Sequence, residues 1–88
     1  MKYLIEGRRW FQKTYGNTYH TVTITDLKTG EVIHKSKEEY GYGDHYRQTA
    51  KEWLIKQGLL IKEKQHDHEY MRANFLFKVV DVPREKDL

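Results

Sequence analysis

The sequence predicts an α+β domain: a small antiparallel sheet in the order β-β-β-α-β-β, with one helix packed on it. Three observations carry that expectation. Residues 18–25, TYHTVTIT, alternate and are dense in β-branched and aromatic side chains. Turns with glycine bracket that run, Tyr15-Gly16-Asn17 before it and Asp26 to Gly30 after it. Residues 45–57 then switch to a helical period, with Tyr46, Ala50, Trp53 and Leu54 on one apolar stripe.

The elements follow in chain order. Residues 8–14, RRWFQKT, form the first strand, joined to 18–25 by a tight turn in which Gly16 or Asn17 takes positive φ. In the second strand His20, Val22 and Ile24 point one way, so His20 is expected to be hydrogen-bonded and partly buried. Glu31 to Ser36 returns as a third strand. Gly41 and Gly43 let the chain turn into the helix. Asp44 is expected to cap it by accepting free N–H groups of the first turn. Gly58 is placed to end it in the left-handed conformation, with Leu59 packing back on Leu54. Residues 59–65 read as a strand, 66–69 as a polar turn, and 70–82 as the last strand. In that strand Met71, Ala73, Phe75, Phe77 and Val79 share one face, and Leu76, Val80 and Val82 the other. Apolar residues on both faces predict a central strand. Pro83 stops it, and 82–88 is expected to be a frayed tail. Residues 1–88 make one domain with one small core.

Composition narrows the function classes. There is no cysteine, which excludes disulfides, thiolate metal sites and cysteine nucleophiles, and fits a reducing compartment. MKYLIEGRR turns to charge after five residues, short of a signal peptide or a membrane span. The expectation is a cytoplasmic protein without a membrane partner. Net charge is +3, a mild excess that permits nucleic-acid binding without demanding it. The excess is uneven: residues 1–37 hold seven Lys/Arg against three acids.

Motifs for chemistry are sparse. Ser36 is the single serine, and no nucleophile elbow is present. GYGD lacks the lysine and spacing of a nucleotide-binding loop. His66 and His68 flank Asp67, but no third ligand can be assigned, so neither a metal nor a cofactor is expected. His20 and His45 sit in the two tyrosine-rich segments and could meet in space, as acid–base chemistry on a phosphodiester would need. The expectation is nevertheless a protein that is not an enzyme.

The best surface feature is Arg8-Arg9-Trp10-Phe11-Gln12-Lys13, followed by Tyr15 and Tyr19. Base-stacking surfaces combine aromatic faces with Lys or Arg. Tyr, Trp and Arg also anchor protein interfaces. One of Trp10 and Phe11 is expected in the core. The glycines and Asp44 of YGYGDHY, residues 40–46, have structural reasons to be there; Tyr40, Tyr42 and His45 have none. The candidate partner-binding residues are therefore Arg8, Arg9, Lys13, Tyr15, Tyr19, Tyr40, Tyr42 and His45.

The pairing of RRWFQKTYGNTYHTVTI with YGYGDHYRQTAKEWL resembles small uncharacterised phage and mobile-element proteins. In these a Trp-Phe strand leads into a Gly-Asn-Thr-Tyr-His turn, and a Tyr-Gly-Tyr-Gly loop leads into a helix. The resemblance covers about residues 8–58. It implies no catalytic residues. It implies a context in the host cytoplasm, where compact proteins of this kind occupy a surface on a host protein or nucleoprotein complex, as counter-defence inhibitors of the anti-CRISPR kind do. A non-enzymatic binding protein of that type is the leading expectation. The alternative is an RNA- or DNA-binding module using the basic, aromatic N-terminal sheet. A second alternative is a His-dependent phosphodiesterase. A small sheet also leaves an exposed edge, which leaves a homodimer open.

Overall fold

The computed structural model describes residues 1–88. Strands β1 (Tyr3–Gln12) and β2 (Asn17–Asp26) form a long hairpin. β3 (Glu31–Lys35) and the short β4 (Glu39–Tyr40) both pair antiparallel with β2, one beyond the other along its outer edge. Helix α1 (His45–Lys56) follows, then a 3-10 turn at Lys62–Lys64, helix α2 (His68–Asn74) and strand β5 (Phe75–Val82). The sheet order is β3-β2-β1-β5, with β4 beside β2. The fold is α+β, but the sheet is mixed, because β5 runs parallel to β1. The chain re-enters the sheet at the end where β1 begins: the Lys2 N–H donates to the Asn74 carbonyl at 2.8 Å.

α1 covers one face of the sheet. Its Tyr46, Ala50 and Leu54 are buried with Ile5, Val22 and Ile24, and Leu60, Met71 and Phe75 close the cluster. β1 starts at Tyr3, five residues before the basic stretch, and so brings Ile5 into the core. Two residues on, the Tyr46 ring lies against Gly7, in the space a side chain there would need. The close approach of helix to sheet therefore depends on a glycine.

The helix ends differ from one another. At the C-terminus the Leu59 N–H donates to the Leu54 carbonyl at 2.8 Å and the Gly58 N–H to the Ile55 carbonyl at 3.0 Å, a Schellman ending. The Leu60 N–H also reaches the Leu54 carbonyl, so the chain curls one residue further and Leu60, not Leu59, enters the core. At the N-terminus Asp44 makes no side-chain cap. Its ψ of 14° keeps it out of the extended region from which a cap side chain folds back over the first turn.

The segment after α1 departs most from the sequence reading. Residues 59–65 form a loop and a 3-10 turn, not a strand. The expected polar turn is a helix start: the Asp67 carboxylate accepts the Tyr70 N–H at 3.0 Å and launches α2. Met71 is buried from that helix, while Ala73 is exposed. β5 begins only at Phe75 and is an edge strand, not a central one. Its Phe75 and Phe77 pack with the core on the helix side; Val80, on the other face, is exposed. Residues 83–88 turn through a short 3-10 segment, Glu85–Asp87, rather than trailing free. Arg8 Nη1 donates to the Asp87 carbonyl at 2.8 Å, so the tail is tied to β1.

Candidate functional site: the helix-free face and its aromatic end

Alternation along paired strands assigns every strand residue to a face. Ile5, Gly7, Arg9 and Phe11 of β1 share the helix side with His20, Val22 and Ile24 of β2. Glu6, Arg8, Trp10 and Gln12 share the other side with Tyr19, Thr21 and Thr23. No α-helix covers that second face; the C-terminal 3-10 segment lies against part of it, where the Asp87 carbonyl accepts from Arg8 Nη1. Trp10 lies opposite Tyr19, and Tyr19 opposite Tyr40. The rings of Trp10 and Tyr19 stack with centroids 5.9 Å apart, and Tyr40 meets Tyr19 edge-on at 5.7 Å. Three aromatic side chains thus form a row across β1, β2 and β4. Pairs of this kind contribute about 0.5–1.5 kcal/mol each beyond their buried area.

More aromatic side chains are exposed at the same end of the sheet. Phe11 is 54% exposed, Tyr15 75%, Tyr40 62% and Tyr42 78%. Neither Trp10 nor Phe11 enters the core, contrary to expectation. Trp10 is half-buried on the helix-free face. Phe11 shares the helix side but lies beyond the end of the helix layer, beside Thr18, Gly43 and Val82. The end of the sheet nearest the β1–β2 turn is therefore an aromatic surface.

The candidate residues divide by position. Arg8, Tyr19 and Tyr40 lie on the helix-free face. Lys13 and Tyr15 stand exposed in the β1–β2 turn. Tyr42 and His45 lie in and just after the loop into α1, both exposed. Arg9 is drawn inward. Its Nε and Nη2 hold both carboxylate oxygens of Asp81, at 2.8 and 3.3 Å, and its Nη1 donates to the Gly43 carbonyl at 2.9 Å. Arg9 thus ties β1, β5 and the YGYG loop together. Trp10 and Phe11 are the residues that sequence reasoning left out of the site. The signal was available for Trp10, since position 10 falls on the face opposite Ile5 and Gly7.

The two histidines do meet, with ring centroids 5.4 Å apart. His20 is fully buried, and both its nitrogens are engaged. Nδ1 faces the Gly41 carbonyl at 3.2 Å, which can only accept, so Nδ1 carries the proton. Nε2 then accepts from the Thr49 hydroxyl at 2.7 Å. Burial holds the His20 pKa below its ordinary value of 6.5; the Gly41 bond opposes that, His45 adds to it and Glu39 opposes it. A neutral, doubly bonded imidazole fastens the YGYG loop and α1 to β2. The His45 ring lies over Gly41, where a β carbon would come within 2.5 Å of it. His20 therefore offers no free nitrogen to a substrate. His66 and His68 lie in the turn before α2 and at its start, not alternating along a strand. No group of three or more His, Asp or Glu side chains is placed to hold a metal ion. No helix is long and apolar enough to cross a membrane.

No family model and no curated protein sequence matches the chain. Among solved structures, the crystal structure of LC11-RNase H1 in complex with RNA/DNA hybrid overlaps it at a TM-score of 0.45 and 20% identity, covering 97% of this chain and 88% of that one. An overlap that slight carries no function across.

Proposed function

We propose that this chain is a non-enzymatic binding module that docks the aromatic end of its sheet onto a protein surface. The observation that carries the reading is the Trp10–Tyr19–Tyr40 row on the face opposite the α-helices. Arg8 shares that face, and Tyr15 and Tyr42 are exposed in the turn and loop at the same end of the sheet. Trp, Tyr and Arg are the side chains that dominate binding energy at protein interfaces. Charge on this face is mixed: Glu6 lies opposite Lys78 across the strands, with Arg8 two positions along. A protein surface suits such a face better than a polyanion does. The resemblance to small phage and mobile-element proteins supports a host protein or nucleoprotein complex as the partner, held in the manner of a counter-defence inhibitor.

The test is copurification from host cells. The pair Trp10→Ala with Tyr40→Ala should lose the partner that wild type retains. The pair Lys62→Ala with Glu63→Ala, on the exposed 3-10 turn, should keep it. Retention by the first pair, with the fold verified by circular dichroism, overturns the assignment.

A second reading has one observation in its favour: aromatic rings in a row on an open sheet are a base-stacking surface. Under that reading single-stranded RNA or DNA binds and weakens steeply with salt. Fluorescence anisotropy at low and near-physiological salt separates the two readings.

A further inference from the structure

On the helix side, away from the aromatic row, a cavity of about 150 Å³ opens between α1, β5 and the turn before α2. Arg47 and Lys51 enter it from one face of α1, a helical turn apart. Gln65, His66 and His68 enter from the opposite wall. Met71 and Phe77 supply its apolar lining. Every polar side chain at this cavity can donate a hydrogen bond, and none is a carboxylate.

The two cations are unneutralised. Neither Arg47 nor Lys51 forms a salt bridge in a chain whose ion pairs are Arg9–Asp81, Lys64–Asp67 and Arg84–Asp87. The Arg47 guanidinium is held in place from two sides. It lies 4.6 Å from the centre of the Phe77 ring, and its Nε donates to the Tyr46 hydroxyl at 3.2 Å. That leaves its terminal nitrogens free to donate. Burial and the neighbouring Arg47 charge both press the Lys51 pKa downward, and no acid opposes them. Two like charges fixed side by side, with donors facing them across a small cavity, repel each other until an anion enters.

We propose that this cavity binds an oxyanion of the phosphate class. A carboxylate has two oxygens in one plane. A tetrahedral phosphate offers oxygens in several directions, as donors on opposite walls require. Its charge of about 1.5 to 2 at neutral pH suits the pair Arg47 and Lys51. Free phosphate and the terminal phosphate of an ester present the same oxyanion, so both sources belong in the test.

The experiment is an NMR titration of the labelled full chain with inorganic phosphate, against sodium chloride at matched ionic strength. Saturable shifts should appear at Arg47, Lys51 and residues 65–68, with a dissociation constant at or below about 1 mM. Lys51→Gln keeps the aliphatic stem and should weaken binding about tenfold or more. The exposed pair His66→Ala with His68→Ala should weaken it without altering the folded spectrum. Adenosine 5′-monophosphate shifting the same signals marks a site open to phosphate esters; binding of inorganic phosphate alone marks one that closes on the free ion. Equal shifts with chloride, equal affinity for acetate, or full affinity in Lys51→Gln would overturn the proposal.

Discussion

Gly7→Ala should be among the most damaging single-atom additions to this chain. Position 7 has no backbone reason to be glycine, since its φ is not positive. The reason is Tyr46. A β carbon at position 7 would stand 2.5 Å from Cδ2 of that ring and 2.6 Å from Cγ. Carbons in contact sit about 3.5–4.0 Å apart, so ring and strand must separate by about 1 Å. Tyr46 has little room to yield. It is buried among the core residues, meets Phe77 edge-on with centroids 6.4 Å apart, and accepts a hydrogen bond from Arg47. Overpacking of this kind costs about 1–3 kcal/mol, and a ring pinned on several sides calls for the upper end. A chain of this size has roughly 5–13 kcal/mol of stability in all. A loss of about 3 kcal/mol lowers the thermal midpoint by roughly 12–24 °C. Urea unfolding of wild type and Gly7→Ala gives the difference directly, with exposed Glu6→Ala as a control expected within about 0.5 kcal/mol. In an open strand, Gly→Ala would instead gain about 0.5–1 kcal/mol. A variant as stable as wild type, or more so, would refute the packing argument.

Other expectations follow from the same geometry. Acidification should destabilise the fold. Burial holds His20, and His34 stacked on Trp53, below the ordinary 6.5, so the unfolded chain binds more protons than the folded one. Stability is then full above about 6.5 and is lost as pH falls below it; unfolding midpoints between pH 8 and pH 5 check this, and His20→Gln should flatten the slope. The two helix starts should respond differently. Asp67→Ala should cost about 1 kcal/mol through its lost cap, while Asp44→Ala should cost little, as urea midpoints would show. Arg9→Ala should loosen the YGYG loop, seen as faster amide exchange at Gly41 and His45, whose N–H groups bond the Thr18 and Tyr42 carbonyls, because one side chain bonds both Asp81 and the loop carbonyl.

The legible parts of the fold were those that local chemistry decides. The β2 alternation and the turns at Gly16 and Gly30 predict the three-strand meander. The α1 stripe predicts which of its residues are buried. α2 escaped because Met71, Ala73, Phe75 and Phe77 continue an apparent period of two across a helix–strand junction. Asp67 carried the correcting signal, an N-cap with Glu69 in the first turn. The parallel pairing of β5 with β1 is set by the route of the chain through two helices, which no local pattern encodes. Its edge position is likewise a tertiary outcome. For the site, residue type alone grouped Arg9 with Arg8. Adjacent strand positions face opposite ways, so Arg8 stays on the helix-free side, where it donates to the Asp87 carbonyl, and Arg9 is spent on Asp81. The cationic cavity was not legible at all, because Arg47 and Lys51 meet His66 and His68 only through the packing of α1 against the turn before α2.

The central claim is that binding runs through the aromatic end of the sheet, and site-specific photocrosslinking in host cells tests it most directly. A photoreactive side chain replaces Tyr15, Tyr40 or Tyr42 in turn, with Lys62 and Glu63 as control positions. The account predicts one discrete protein adduct shared by the three tyrosine positions, lost when Trp10→Ala is added and absent from the controls. The same adduct formed equally from Lys62 and Glu63, or formed there alone, would contradict it.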